Sequence, residues 1–176
     1  MKKYFIIFIF CFHPYFSFSQ IDDGLFATIE TKVEIESLEF LSTLDKSINN
    51  KTRQFCYDTF KVEKTLEKLS VGNPSTHGMN SAAYWAIEEY DKLLNKYYKL
   101  LFDSLKKNDQ IILKNAQKAW LNFRDEEIKL IALLREDRYS GGGTIQTIIR
   151  LSYILSLNKT RVIELFNHYE ELNVDY

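Results

Sequence analysis

Three residues near the middle of the chain have the types and spacing to form an electrostatic contact. Gln117, Trp120 and Arg124 stand at i, i+3 and i+7, so they share one face of a helix. An arginine beside a large aromatic ring can stack on that ring and still bind a carboxylate. Asp91 and Glu164 are the candidate carboxylates on neighbouring helices. We expect a partly buried ion pair that ties helices together; the alternative is that this face contacts a partner.

The acidic residues and the histidines predict no catalytic site. Carboxylates cluster at 88–91 and at 125–127, and a carboxylate pair can perform acid and base chemistry where both groups face one pocket. Solvated helix faces explain these clusters more simply. His77 and His168 are the only histidines beyond residue 20, and no HExxH or CxxC motif accompanies them. We therefore predict a non-enzymatic protein without a metal site or a cofactor.

The segment from residue 84 to residue 98 is rich in aromatic side chains. Tyr90 and Tyr97 fall on apolar rows of a predicted helix, which indicates core packing. Trp85 lies between those rows, so we expect it to be partly exposed. The segment thus has two interpretations, a packed core or an aromatic surface that contacts glycan or lipid.

A basic segment followed by three glycines is the second candidate surface. Arg135, Arg138 and Tyr139 lead into Gly141–Gly143, and we expect a flexible loop without helix, with Thr144 capping the helix that follows. The glycines do not form a phosphate loop, because no lysine follows at the GxxxxGK[ST] spacing. Together with Trp85, these three residues are the predicted partner surface.

Composition favours one helical domain with a real core. The chain has 176 residues, of which 45% are hydrophobic and 27% charged, while only six glycines and two prolines are present. Few turn residues favour long helices over many short strands. The net charge of −1 gives no electrostatic footprint for nucleic acid.

The first 19 residues resemble a cleaved secretory signal peptide. Lys2 and Lys3 precede the apolar run 4–12, and Ser17 and Ser19 supply small residues for cleavage. A membrane anchor is disfavoured because the run is shorter than the roughly 20 residues needed to cross a bilayer, so we expect no stable membrane span after cleavage. Removal of the two lysines leaves 21 basic and 24 acidic residues, a charge of −3. We expect an exported protein, in the periplasm or outside the cell.

Helical periodicity divides the rest of the chain into an amino-terminal pair of helices and three longer ones. Residues 20–27 show no period, which predicts a loose tail, and Asn108 or Asp109 is positioned to cap the fourth helix. The predicted helices are Ile29 to Ile48, which also has a strand-like alternation, then a helix from about residue 50 to Leu69. After a loop at 71–76 come a long helix that carries Met79 to Leu100 and ends before the polar segment 106–109, then Gln110 to Arg135 and Thr144 to Leu172.

The long helices carry apolar rows at steps of seven, which predicts an antiparallel bundle. In the fourth helix Ala116, Phe123 and Leu130 form one row and Trp120 belongs to the other, so we expect both rows to pack. In the last helix Asn158 interrupts a row, where it either fixes the register by bonding to a partner or marks a local break.

The string Ala116 to Asp125, AQKAWLNFRD, resembles the signature of the LprI-like lysozyme-inhibitor family of small exported helical domains. Matches continue in order at THGM (76–79), LNKYY (94–98) and GGT (142–144), and at Arg161, so the resemblance covers roughly residues 75–172. Family members usually carry cysteines where this chain has Ala82 and Ile128, so the disulfides that the resemblance implies are absent. Cys56 is then the only cysteine after the leader, and we expect a small buried apolar residue there.

The resemblance implies that a lysozyme or another envelope protein is the partner. It also identifies signature residues, which we expect to be mainly structural: Gln117, Trp120, Arg124, Asp125, Gly143, Thr144 and Arg161. The predicted organisation is a signal peptide (1–19), an amino-terminal helical extension (20–74), an LprI-like helical domain (75–172) and a tail (173–176). The predicted fold is all-α, an antiparallel bundle of three long helices with the amino-terminal helical pair packed on it.

Overall fold

A computed structural model describes residue 21 and residues 23–172. Within these residues the chain is helical throughout and contains no strand. The predicted leader and the tail after Leu172 lie outside the described part. The helices are α1 (Asp23–Thr43), α2 (Asn50–Gly72), α3 (Thr76–Ser104), α4 (Gln110–Leu134), α5 (Asp137–Ser140) and α6 (Ile145–Glu171).

The core lies between α3 and α6, which share the most extensive helix interface in the described chain. Tyr97 of α3 is fully buried, and its ring packs edge-on against Phe166 of α6 with centroids 5.7 Å apart. Tyr90 is also buried, so the prediction that both tyrosines belong to the core is confirmed. Four residues from the predicted apolar rows of α6 are also buried: Leu151, Leu155, Val162 and Leu165.

Contacts between the helices give their directions. Asp91 and Tyr97 of α3 meet Asn158 and Phe166 of α6, so these two helices run parallel. The contacts between α4 and α6 show that these two helices are antiparallel. Their interface is smaller than the one between α3 and α6. Three long helices running up, down and up, with a helical pair packed on them, confirm the predicted all-α bundle.

The amino-terminal pair packs on α3 through a second apolar cluster. Ile29 and Val33 of α1 are buried against Leu69 of α2 and Ala82 of α3. The ambiguous segment 29–48 is therefore helical, although the helix ends at Thr43. The prediction of a loose tail was wrong from residue 23 onward, because α1 begins there. The first turns of α1 are stabilised by a contact with α3, in which the Phe26 ring packs edge-on against Trp85. Such a contact between helices produces no periodicity in the sequence of α1.

The starts of α2 and α3 have side-chain caps, whereas those of α4, α5 and α6 lack them. The Asn49 side chain accepts a hydrogen bond from the Thr52 amide at the start of α2, and Ser75 does the same for Gly78 at the start of α3. The expected caps at Asp109 and Thr144 were wrong, because both residues have right-handed helical backbone angles and neither side chain caps its helix. A cap residue needs an extended backbone to aim its oxygen at the free amides.

The segment after α4 also differs from its prediction. We expected a loop without helix from Tyr139, yet residues 137–140 form one helical turn, α5, before the glycines. Gly141, Gly142 and Gly143 then have φ of 77°, 78° and 94°, which only glycine adopts without strain.

Nowhere in the described chain does a helix combine the length and apolarity that crossing a bilayer requires.

Candidate functional site

A partly buried ion pair ties α4 to α3. Arg124 is 5% exposed, and its Nη1 lies 3.2 Å from Oδ1 of Asp91 on α3. The same carboxylate oxygen accepts a hydrogen bond of 3.1 Å from Nδ2 of Asn158 on α6. Asp91 therefore joins three helices. The expected pairing of Arg124 with Asp91 is confirmed, whereas Glu164 pairs instead with Arg161 at 2.9 Å.

Asn158 fixes the register between α3 and α6, which decides between its two interpretations. It is 1% exposed, and α6 continues through it without a break. Its Nδ2 donates to Asp91 while its Oδ1 has no hydrogen-bond partner among the described residues. A buried acceptor left in this way lowers stability, so Asn158 contributes specificity of helix pairing more than net free energy.

Trp120 lies between two guanidinium groups. The guanidinium carbons of Arg124 and Arg161 are 5.3 and 5.7 Å from the centroid of the indole. Arg161 also donates from Nε to Oε1 of Gln117, which is itself buried, at 3.0 Å. We call Gln117, Trp120, Arg124 and Arg161 the tryptophan cluster. Each guanidinium stacked on the ring contributes roughly 0.5–1 kcal/mol, or more where water is excluded.

Five of the seven predicted signature residues meet at this place. Asp125 lies at the edge of the tryptophan cluster, with its Oδ1 at 3.4 Å from Arg124. Gly143 and Thr144 are elsewhere, in the turn before α6. That turn is held by Gln146, which no sequence motif marks. Its side-chain amide donates to the carbonyls of Ser140 and Gly142 and accepts from Arg135.

The four residues of the predicted partner surface fall in two places. Tyr139 is 60% exposed, and the Arg138 guanidinium lies over its ring at 4.9 Å while also pairing with Glu136. Arg135 is half-buried beneath them. Trp85 instead lines a groove formed by α1, α2 and α3, which none of the three loop residues lines.

The outer face of α4 is apolar and exposed, contrary to expectation. Ala116, Phe123 and Leu130 were expected to pack, yet all three are exposed, Phe123 by 55% and Leu130 by 46%. Ile112 and Leu134 extend the same stripe and are also exposed. The reason is that α4 has one covered face, the one carrying Leu113, Gln117 and Arg124, and no helix of the described chain lies on the other. We call the exposed stripe, residues 112, 116, 119, 123, 130 and 134, the outer face of α4.

The groove at Trp85 has a volume of about 990 Å³ and is lined by aromatic, aliphatic and acidic side chains. Lys61 pairs with Glu34 at 2.6 Å on one side, and Lys92 pairs with Glu89 on the other. Partial desolvation in the wall of the groove raises the pKa of the Glu88 carboxyl. The neighbouring tyrosines do not line this groove, so Trp85 is the part of the aromatic segment that reaches it.

The titratable groups do not assemble into a metal site within the described residues, since no three His, Cys, Asp or Glu side chains converge in the way a metal ion requires. Cys56 is a free and half-buried thiol on α2 rather than a fully buried residue. What the geometry provides is a structural polar tie, an exposed apolar helix face and an acidic groove.

These features define an all-helical domain in which three long helices are joined by a partly buried Asp–Arg–Asn contact and one helix leaves an apolar face uncovered. The profile of the family described as lysozyme inhibitor LprI matches residues 69–165, which include α3, α4, α5 and most of α6. The chain therefore belongs to the LprI family. No curated protein and no solved structure matches the chain significantly.

Proposed function

We propose that this chain is exported as a non-enzymatic helical protein that binds a lysozyme-type muramidase of the cell envelope and inhibits it. The family description supplies the partner, and the matched segment contains all of α4 and the loop after it. Export is the interpretation of the amino-terminal leader, residues 1–19. Inhibition follows if the complex covers the cleft in which the enzyme binds its glycan.

The outer face of α4 is the observation that carries this proposal. Ile112, Phe123 and Leu130 lie at intervals of eleven and seven residues, so they point to nearly the same side of the helix. Ile112 is 68% exposed. Glu126 and Glu127 interrupt the strip between Phe123 and Leu130, but apolar side chains are exposed on both sides of them. Clusters of exposed apolar residues mark protein interaction sites.

The loop after α4 extends this surface. Leu133 and Leu134 end the helix with exposed side chains, and Tyr139 follows after one turn of chain with Arg138 over its ring. Tyrosine and arginine are enriched at the centre of protein interfaces. The proposed interface is thus an apolar helix face with an aromatic and basic end.

The test replaces Phe123 and Leu130 together by aspartate, and compares this variant with the control pair Leu25→Asp and Leu38→Asp. The control residues are 37% and 57% exposed on α1, outside the matched segment, and neither lines the groove at Trp85. Inhibition of cell-wall lysis is measured as loss of turbidity with several lysozymes. We expect the α4 variant to need at least about tenfold more protein for half-inhibition, since interface anchors contribute about 2 kcal/mol each.

Circular dichroism of both variants checks that the helices are retained. The inhibitor proposal is wrong if micromolar unsubstituted protein leaves lysis by every lysozyme unchanged. The assignment to α4 is wrong if the α1 control loses as much inhibition as the α4 variant.

A further inference from the structure

One wall of the groove at Trp85 comes from the segment that matches the family, and the other wall comes from outside it. Trp85, Glu88 and Glu89 come from α3, inside the matched segment. The opposite wall comes from α1 and α2, which lie almost entirely before residue 69. The family description therefore assigns nothing to this groove.

The floor of the groove is apolar and aromatic. Phe26 and Trp85 pack edge-on with centroids 6.1 Å apart, and Val33 and Val62 lie beside them. Aromatic side chains in such a floor can contact the aliphatic stem of a lysine or arginine and attract its cation.

The rim of the groove is acidic. Five carboxylates line it against two lysines, and both lysines already pair with carboxylates of the rim. This leaves Asp23, Glu30 and Glu88, which form no salt bridge with a described residue. Glu30 and Glu88 lie on opposite walls, on α1 and α3. The rim therefore carries an excess of negative charge that attracts further cations, whereas phosphate or an anionic lipid head would meet repulsion.

The acidic rim also sets a length. Asp23, Glu30 and Glu34 follow one another along α1, and eleven residues of helix span about 16 Å. An extended peptide rises about 3.3 Å per residue, so about five residues match this length. Side chains that alternate in such a peptide would place basic groups toward the carboxylates at every second position.

We propose that the Trp85 groove binds a short, extended, arginine- or lysine-rich peptide segment of a partner protein. The cations pair with Glu30 and Glu88, and their stems lie on Trp85 and Phe26. This site is separate from the outer face of α4 and does not depend on a lysozyme being the partner.

The test uses a labelled pentapeptide that alternates arginine and alanine, titrated with the purified protein and followed by fluorescence polarisation at about 0.15 M salt. Glu30→Gln with Glu88→Gln removes two of the three rim carboxylates that form no salt bridge with a described residue, one from each wall. Glu39→Gln with Glu171→Gln is the matched control, because both residues are exposed, neither lines the groove, and the change in charge is the same.

We expect the groove variant to weaken peptide binding by about tenfold, since two exposed ion pairs contribute up to about 1 kcal/mol each, and the control pair to change it by less than about twofold. Equal weakening by both pairs would mean non-specific attraction and would overturn the proposal. So would the absence of peptide binding, or equal binding of the corresponding glutamate peptide or of anionic lipid vesicles. Since no lysozyme is present, failure here leaves the proposed inhibition standing.

Discussion

Asp91 is the residue on which the contact between the three long helices depends. Its carboxylate accepts from Arg124 of α4 and from Asn158 of α6, and both of those residues are at least 95% buried. A buried guanidinium that loses its carboxylate keeps its charge, because arginine does not deprotonate in proteins. The cost of removing Asp91 is therefore the cost of the charge left behind rather than the value of the pair.

We predict that Asp91→Ala lowers the free energy of unfolding by about 2 kcal/mol. The value is below that for a fully buried pair because the Asp91 side chain is 42% exposed, so water reaches the vacated site. Urea unfolding measures the difference. Asp103→Ala on the same helix is the control: it is exposed near the carboxyl end of α3, where a negative charge is unfavourable, so its removal should cost nothing. Equal losses in the two variants would contradict the role of Asp91.

Much of the tryptophan cluster could be predicted from the spacing of residues along one helix. The contacts between helices could not. Gln117, Trp120 and Arg124 share a face through local helix geometry, so their association follows from spacing alone. The partner of Arg124 depends on the register between helices, and the sequence left Asp91 and Glu164 equally open. The stacking of Arg161 on Trp120 was not predicted for the same reason.

The start of α3 depends on the close approach of Gly78 to the backbone of Asn73. Gly78 donates its amide hydrogen to Oγ of Ser75, and a Cβ added at Gly78 would lie 2.3 Å from the backbone oxygen of Asn73. Backbone cannot move aside as a flexible side chain can. The short connection from α2 to α3 thus requires glycine at position 78, although its backbone angle does not.

We predict that Gly78→Ala lowers the free energy of unfolding by about 2 kcal/mol, because overpacking here outweighs the higher helix propensity of alanine. Gly72→Ala is the matched control, since its added Cβ would make an ordinary 3.7 Å contact with Leu25. The control should be neutral or stabilising by a few tenths of a kcal/mol. Thermal unfolding of the two variants gives the comparison, and a Gly78→Ala protein as stable as the Gly72→Ala protein would refute the argument.

The helices differ in how far periodicity predicted their packing. The row residues of α3 and α6 are buried or half-buried, because other helices cover the faces that carry them. On α4 the same pattern put Phe123 and Leu130 in the core, and this was wrong. Periodicity indicates which residues share a face, but only the tertiary arrangement determines whether another helix covers it. The early start of α1 was missed for a related reason. The contact that stabilises it, between Phe26 and Trp85, joins two helices and depends on the tertiary arrangement.

For the molecule as a whole, two buried tyrosines link its stability to alkaline pH. Tyr97 donates to Oδ2 of Asp58 at 2.6 Å, and Tyr90 donates to Glu63. Burial, and then the hydrogen bond to a carboxylate, raise the pKa of both phenols well above the ordinary value of about 10. The folded protein therefore holds protons that the unfolded chain releases as pH rises through about 10.

We predict full stability from these groups below about pH 10 and a loss of about 1.4 kcal/mol per pH unit for each tyrosine above it. Tyr97→Phe should lower the dependence of the unfolding free energy on pH by about 1.4 kcal/mol per pH unit. Tyr139→Phe, at an exposed site, is the control. Urea unfolding at several values between about pH 9 and pH 11 measures the slope. A slope that Tyr97→Phe does not alter would contradict this account.

The uncovered face of α4 has a thermodynamic consequence. This helix is held to the bundle mainly along one side, through Arg124, Gln117 and a few apolar residues. A protein that covers its other side binds the folded chain and not the unfolded one, so by mass action it stabilises the fold; at 100 times its dissociation constant the gain is about 2.7 kcal/mol. The true partner, whichever enzyme or envelope protein it is, would raise the melting temperature of the chain, and a thermal screen would find it without any assay of activity.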